Sequence, residues 1–380
     1  MLPYLIIFFL SILFTFLAQE SDKNNKRLFF FVFSAFAVLL PSLLAGLRDS
    51  GVGTDTEIYV DSVWKTVNRI NSFEEFQKLY KQEKFDDIEY GYLLLNFIGS
   101  KFGSSVNIIY FLTSFVTTLL VYCTAYDNKK RVSMAIVMAM FLFGYYNLYL
   151  NIVRQALALA IGLYCFKYVE SRSWIKVIIS FFIIKAFHNT GIFCVLFWGA
   201  YFLSSSKYKL KPFVLMILLL VAYGVFIYFD FIILYTIAIG ILPKKFLYYL
   251  SGDTVDYTTI FIYHFLLSAI MFVVYLFHAR SQEEKDKLLS YGFLSLLGSI
   301  LVLTAMVSMW SYRVAFYFLF ICDCIFLPRA LYLMNKKHKL ETSLMLVISI
   351  SLVIGVWYKY NISNNDNETY PYKSEILGIY

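Results

Sequence analysis

The chain has 380 residues, 60% hydrophobic and 20% aromatic against 15% charged, with a mean hydropathy of +0.68; that balance excludes a soluble globule and points to an integral membrane protein. Its net charge of +8 lies in short basic clusters between apolar runs, the pattern that orients membrane proteins and not one that binds nucleic acid. The runs are long enough to span as helices and too continuous for the alternation of an outer-membrane barrel, so the expected fold class is all-α polytopic membrane protein, one integral membrane domain over 1–380.

In chain order, residues 2–17 lack a basic leader and run into Ala18-Gln-Glu20, which predicts a retained first helix and not a cleaved signal. A second run, 28–47, ends at Arg48, where a guanidinium meets the bilayer surface and lipid-borne phosphate. Gly51 and Gly53 give a flexible turn whose N–H groups suit an anion. Thr54-Asp-Thr-Glu57 has capping-box spacing and predicts a helix start. Arginine, glycine turn and helix N-terminus are together the parts of an anion site, and the same residues also make a capped turn with a snorkelling arginine. Asp55, Glu57 and Asp61 add carboxylates, with Glu57 and Asp61 on one helical face. The rest of the outer loop 48–90 is polar, with Ser72-Phe-Glu-Glu75 as a capping box for a short amphipathic helix. Residues 90–98 read as an interfacial helix.

Further spans are expected at 105–125, 132–147, 152–169, 174–187, 190–203, 213–229, 257–278, 288–309, 313–333 and 342–358, about twelve in all, some short enough to be re-entrant. Alternation then places the basic clusters at 23–27, 129–131, 172–176, 207–211, 280–287 and 336–339 on one side, the cytoplasm. Both termini, the 48–90 loop, 147–154, His188, 230–256, 310–313 and the tail after 358 fall outside. Arg48, Arg154 with Gln155, His188, and Arg313 with Tyr312 thus reach one depth from four distant stretches. Ionisable residues at membrane depth are functional candidates because burying them is costly. Taken singly, each arginine also reads as an anchor and the histidine as a packing residue. Tyr145, Tyr146 and Tyr149 form an aromatic belt or stack on sugars, and the sequence leaves both open.

The five cysteines lie in or beside apolar segments without a CxxC pair, so neither a disulfide framework nor a metal site is expected. P-loop, GxGxxG, HExxH and GxSxG motifs are absent from the sequence, so ATP-driven transport and cytoplasmic nucleotide-sugar chemistry lack support. No cofactor is expected. Asp86-Asp-Ile-Glu89 and Asp253-Thr-Val-Asp256 read as solvated loop charge.

Leu47-Arg48 to Tyr59, centred on Val52-Gly-Thr-Asp55, resembles the signature of the EpsG family, polytopic proteins of bacterial exopolysaccharide and capsule synthesis grouped with Wzy-type polymerases. The resemblance continues through Glu89-Tyr-Gly-Tyr92 with Asn96, Arg154-Gln155 and the small residues after it, Phe187-His188, Arg313 with Tyr317-Phe318 and Pro328, and Tyr370-Pro-Tyr372. It implies oligosaccharide repeat units on undecaprenyl pyrophosphate, joined at the outer face of the bacterial inner membrane to make O-antigen, capsule or exopolysaccharide. The growing chain leaves its carrier for the non-reducing-end sugar of an incoming lipid-linked unit. On this implication Arg48, Gly53, Thr54, Arg154, Gln155, Tyr312 and Arg313 bind pyrophosphate and substrate, and His188 or Asp55 is the general base with Glu57 in reserve. The fold is expected to be GT-C-like by analogy. Partners implied are the lipid-linked substrates, membrane lipids, a chain-length regulator and a flippase. Two other readings compete: a different outer-face transferase such as a ligase, and a non-enzymatic flippase. A ligase calls for a larger late outer loop than 230–256. A flippase calls for half-chain repeats and charges along a path through the bilayer, whereas these charges gather on one side.

Overall fold

In the computed structural model of the chain, the apolar runs become helices close to their expected positions. The structure describes residues 1–380 apart from 55, 86–87, 206–210, 243, 245–246, 248–249, 251–255, 280, 307–310 and 336–337. Among the described residues the regular elements are helical, with one isolated bridge between Ser374 and Ile379. Two compact units emerge, Met1–Ile192 with Val353–Tyr380, and Phe193–Leu352.

The first unit holds α1 (Leu2–Lys23), α2 (Arg27–Gly46), α3 (Ser62–Val67), α4 (Phe73–Lys81), α5 (Tyr90–Gly99), α6 (Asn107–Asp127), α7 (Met134–Gly144), α8 (Tyr146–Asn151), α9 (Val153–Glu170) and α10 (Trp174–Phe187). The second holds α11 (Phe193–Ser204), α12 (Lys211–Ile227), α13 (Phe229–Ala238), α14 (Thr258–His278), α15 (Gln282–Val302), α16 (Phe316–Ile321), α17 (Leu327–Asn335) and the start of α18 (Lys339–Trp357).

Among the described residues seven helices are long and apolar enough to cross a membrane, or eight if the bent pair Phe213–Val225 and Phe229–Ala238 is one span. This is a polytopic helical membrane protein, but the expected count of about twelve spans is not met. Length is the reason: α7 has 11 residues and α10 has 14, about 16 and 21 Å at the rise of an α-helix, against a hydrocarbon core of roughly 30 Å. α9 has 18 residues but carries Arg154, Lys167 and Glu170.

Polar chemistry within the first unit fixes how these helices meet. Pro41 inside α2 has no N–H, which frees the Ala37 carbonyl one turn earlier. Ser11 of α1 donates to that carbonyl at 2.6 Å, and the Tyr146 hydroxyl donates to the carbonyl of Pro41 at 2.5 Å. At one end of the unit Lys129 pairs with Asp22 at 2.5 Å, and Gln19 accepts from the Met134 N–H at 3.0 Å. At the other end the Tyr4 hydroxyl donates to the Thr369 carbonyl at 2.7 Å, so the N-terminus and the tail lie together, opposite the Lys129 cluster. Ser72 caps α4 as expected, accepting from the Glu75 N–H at 3.1 Å. Glu75 reaches back to the N–H of Asn71, one residue earlier than in a capping box. The 48–90 segment has a core of its own, with Val60, Trp64, Phe76, Phe85, Leu93 and Phe97 buried together.

In the second unit His264 and Asp323 form a buried pair at 3.1 Å. Asp323 sits on the wide π turn Cys322–Phe326, and the Ser268 hydroxyl donates to Ser295 at 2.8 Å.

Candidate functional site

The residues singled out in the first unit form two centres at its tail-bearing end. The first is built on Arg48, which follows the last turn of α2. Asn107, opening α6, donates to the carbonyls of Gly46 and Arg48 at 2.7 and 3.1 Å, which satisfies acceptors that a helix end leaves open. The Arg48 side chain then turns inward. It is 1% exposed, donates from Nη2 to the Leu150 carbonyl at 3.0 Å and stacks over the Tyr110 ring at 4.7 Å. Its Nε and Nη1 have no protein acceptor. Arg48 also lines a cavity of about 20 Å³ whose mixed wall includes Tyr110, Thr113, Thr118, Phe141, Val153 and Ala156, room for about one water. Burial pushes the Arg48 pKa below the ordinary arginine value while the phenols of Tyr110 and Tyr146 oppose the shift; a guanidinium remains charged through such a change. The expectation of a guanidinium at the bilayer surface is therefore corrected, because other chain segments cover it.

The C-terminal tail bonds to the chain on either side of Arg48. Tyr372 donates to the Leu44 carbonyl at 2.8 Å, Ser374 to that of Leu47 at 2.5 Å, and the Glu375 N–H to the Asp49 carboxylate at 2.8 Å. Burial pushes the Tyr372 phenol up to about 12, with Arg48 opposing, so it stays a donor at neutral pH. The tail also occupies the glycine turn: the Gly53 N–H donates to the Glu368 carbonyl at 2.9 Å, so that amide faces protein and not a bound anion. Gly53 has φ +105°, and a Cβ there would lie 2.8 Å from the Thr56 hydroxyl. Only glycine fits.

The neighbouring residues divide. Thr54 donates to Asn151 at 2.7 Å, and the helix beyond it opens as a π turn, Thr56–Asp61. Glu57 is exposed on that turn. Asp55 lies outside the described residues, as do Asp86 and Asp87. Asp61, which sequence reasoning noted only as part of a carboxylate set, is buried; one oxygen accepts from Tyr110 and the other from Ser50. A carboxylate, a phenol and the Arg48 guanidinium are thus joined in series.

The second centre is built on Arg154 at the first turn of α9. Its Nη1 pairs with Glu89 at 2.5 Å, and its guanidinium lies 5.3 Å from the centre of the Tyr59 ring. The other Glu89 oxygen accepts from the Asn189 N–H at 2.9 Å, the residue after His188. Glu89 therefore joins α5, α9 and the end of α10 in one ion-paired junction, which replaces its reading as solvated loop charge. Gly91 permits the approach, since a Cβ there would fall 2.6 Å from the Ala186 carbonyl. Sequence reasoning missed Glu89 as a site residue although Glu89-Tyr-Gly-Tyr92 was one of the resembling motifs. His188 ends α10 in extended conformation. Its Nδ1 accepts from the Thr190 N–H at 3.2 Å and lies 2.6 Å from the Thr190 hydroxyl, so in the neutral ring the proton belongs on Nε2. Gln155 is buried on α9.

Tyr312 and Arg313 belong to the second unit, on the turn Ser311–Val314, where Tyr312 packs edge-on against Tyr257 at 4.6 Å.

The model of the EpsG family matches residues 31–374. No curated protein and no solved structure matches the chain. With a match over nearly the whole sequence, the chain belongs to the EpsG family, whose members are Wzy-like polymerases.

Proposed function

We propose that the protein polymerises undecaprenyl-pyrophosphate-linked repeat units at the outer face of the bacterial inner membrane. The observation that carries this reading is Arg48, a buried cation that stacks over Tyr110, whose hydroxyl in turn donates to the Asp61 carboxylate. A fixed guanidinium that has no ion pair among the described residues suits an anionic leaving group, because preorganised charge in a water-poor site stabilises developing negative charge strongly. The acceptor hydroxyl oxygen bonds to the anomeric carbon of the donor chain as that carbon's bond to the pyrophosphate oxygen breaks. The electron pair leaves with the carrier, and the hydroxyl proton passes to a base. Nδ1 of His188 is already an acceptor within its own turn, which favours a donor role at Nε2 and leaves Asp55 as the proton acceptor with Glu57 in reserve. Glu89 is a positioning residue that aims Arg154. Gly53, Thr54 and Gln155 shape the two centres, and Tyr312 and Arg313 keep their assignment to substrate binding.

The test is the surface glycan of cells carrying an inactive variant that inserts at normal levels. A polymerase defect leaves one repeat unit where the wild type gives a ladder, and loss of even that unit favours a flippase. Orientation is checked by reporter fusions: Lys129, Lys209 and Lys337 are expected in the cytoplasm, and the region of Lys78 and the tail outside. A cytoplasmic Lys78 would refute the outer-face assignment.

A further inference from the structure

The second unit carries a group of side chains that the polymerase reading does not use. His278 is the last residue of α14, His338 immediately precedes α18, and Glu341 lies in its first turn. His338 Nδ1 lies 2.9 Å from Glu341 Oε2, and His278 Nε2 lies 3.8 Å from the same oxygen. The two imidazole rings are 4.6 Å apart, and the three ligand-type atoms all lie within 4.8 Å of one another.

We infer that His278, His338 and Glu341 bind a divalent transition ion of the zinc class. Bonds of about 2.0–2.2 Å to nitrogen and oxygen around a tetrahedral ion place ligand atoms roughly 3.3–3.5 Å apart. The 2.9 and 3.8 Å separations bracket that spacing and the two ring nitrogens lie within 4.8 Å of each other, so small rotations of three side chains close the site. Two imidazoles and one carboxylate are the donors of zinc, cobalt or nickel, whereas magnesium and calcium take oxygens alone. Both histidines address one carboxylate oxygen. Ion pairing with that oxygen needs a proton on each ring to be fully favourable, but a single cation serves all three neutral or anionic donors at once. His338 and Glu341 are three residues apart, so they share a helical face. Glu341 is 54% exposed and His278 11%, which leaves a fourth position open to water and a route of entry. Such an ion ties the end of α14 to the start of α18, two elements separated in sequence by α15, α16 and α17.

The experiment uses the full chain in detergent, purified through a tag free of histidine, stripped with a chelator and titrated with zinc against a chromophoric competitor. One equivalent per chain is expected. His278→Gln and Glu341→Gln should each weaken binding by more than about 100-fold, beyond what loss of a mere supporting residue costs, while helical content and elution stay unchanged. Glu341 lies at an exposed helix start, so its variant keeps the test valid if the histidine variants fail to fold. Cobalt bound at the site should show ligand-field bands without a thiolate charge-transfer band. Binding well below one equivalent in the wild type, unchanged affinity in Glu341→Gln, or a thiolate band pointing to the cysteines would each overturn the inference.

Discussion

Arg48 and Arg154 lie at the same end of the first unit, both fall within the residues that the family model matches, and their surroundings differ in kind. Arg154 meets a carboxylate directly, at 2.5 Å. Arg48 meets one carbonyl, one aromatic face and a small cavity of mixed polar and apolar lining. A buried pair satisfies its own charge, and removing one partner leaves the other stranded. A buried cation among neutral groups retains its attraction for an incoming anion. The difference separates a guanidinium with a direct counter-charge from one whose hydrogen-bond and ring contacts are to neutral groups.

The sharpest way to break this comparison is Arg48→Lys. Lysine keeps the charge but loses the planar fork that reaches Leu150 while stacking on Tyr110. Polymerisation should fall on the order of a hundredfold or more at normal membrane levels, read as shortening of the ladder toward a single repeat. A full ladder would show that the unpaired N–H groups of Arg48 have no part in catalysis.

The next test strands one member of the Arg154 pair at a time. Glu89→Gln leaves the guanidinium without a counter-charge and weakens the hold on the Asn189 N–H, so turnover should drop by tens of fold. Arg154→Met should lose at least as much, because it strands a 6% exposed carboxylate. If Glu89 positions Arg154, the double variant should be no worse than Arg154→Met alone; losses that multiply would assign Glu89 an independent role as base.

His188 offers a smaller effect with a cleaner sign. Glutamine places its amide N–H where Nε2–H sits, and asparagine mimics Nδ1. If His188 donates from Nε2, His188→Gln should retain activity within about threefold and His188→Asn should lose about tenfold or more. Equal, large losses in both, with lipid-linked substrate still bound, would restore His188 as the general base.

These tests follow from features the sequence disclosed unevenly. Helix positions were legible because apolar runs and caps are local: α10 occupies 174–187 as expected, and Ser72 caps α4. The span count was not, since an apolar stretch of 11 residues and one of 21 share a composition and differ only in reach. Arg48 was legible as a singular charge, but its inward turn rests on Leu150 and Tyr110, and its flanking residues are held by Tyr372 and Ser374, more than three hundred residues away. A polar tail gives no local sign that it will fold back. Glu89 was hidden by its neighbours, for a carboxylate beside Asp86 and Asp87 reads as solvated. His264 and Asp323 carried the plainest missed signal, being ionisable residues inside apolar runs that the cost of membrane burial alone should have marked.

The smallest expected effect concerns the tail and asks whether it clasps the Arg48 turn or takes part in chemistry. Tyr372→Phe removes one hydroxyl that donates to the Leu44 carbonyl at 2.8 Å and keeps the ring that packs edge-on against Tyr4, with centroids 5.6 Å apart. The loss is one hydrogen bond, worth about 1 kcal/mol, together with the cost of a carbonyl near the end of α2 that has lost a donor. Thermal unfolding in detergent should move down by a few degrees while the ladder keeps its length. Because the phenol is already held protonated by burial, activity in this variant should follow the same pH profile as the wild type up to about pH 10, well below the value near 12. A changed profile with unchanged stability would place the hydroxyl in the proton path and the tail in the active site. Lower stability with an unchanged profile assigns the tail to holding Arg48 against its cavity.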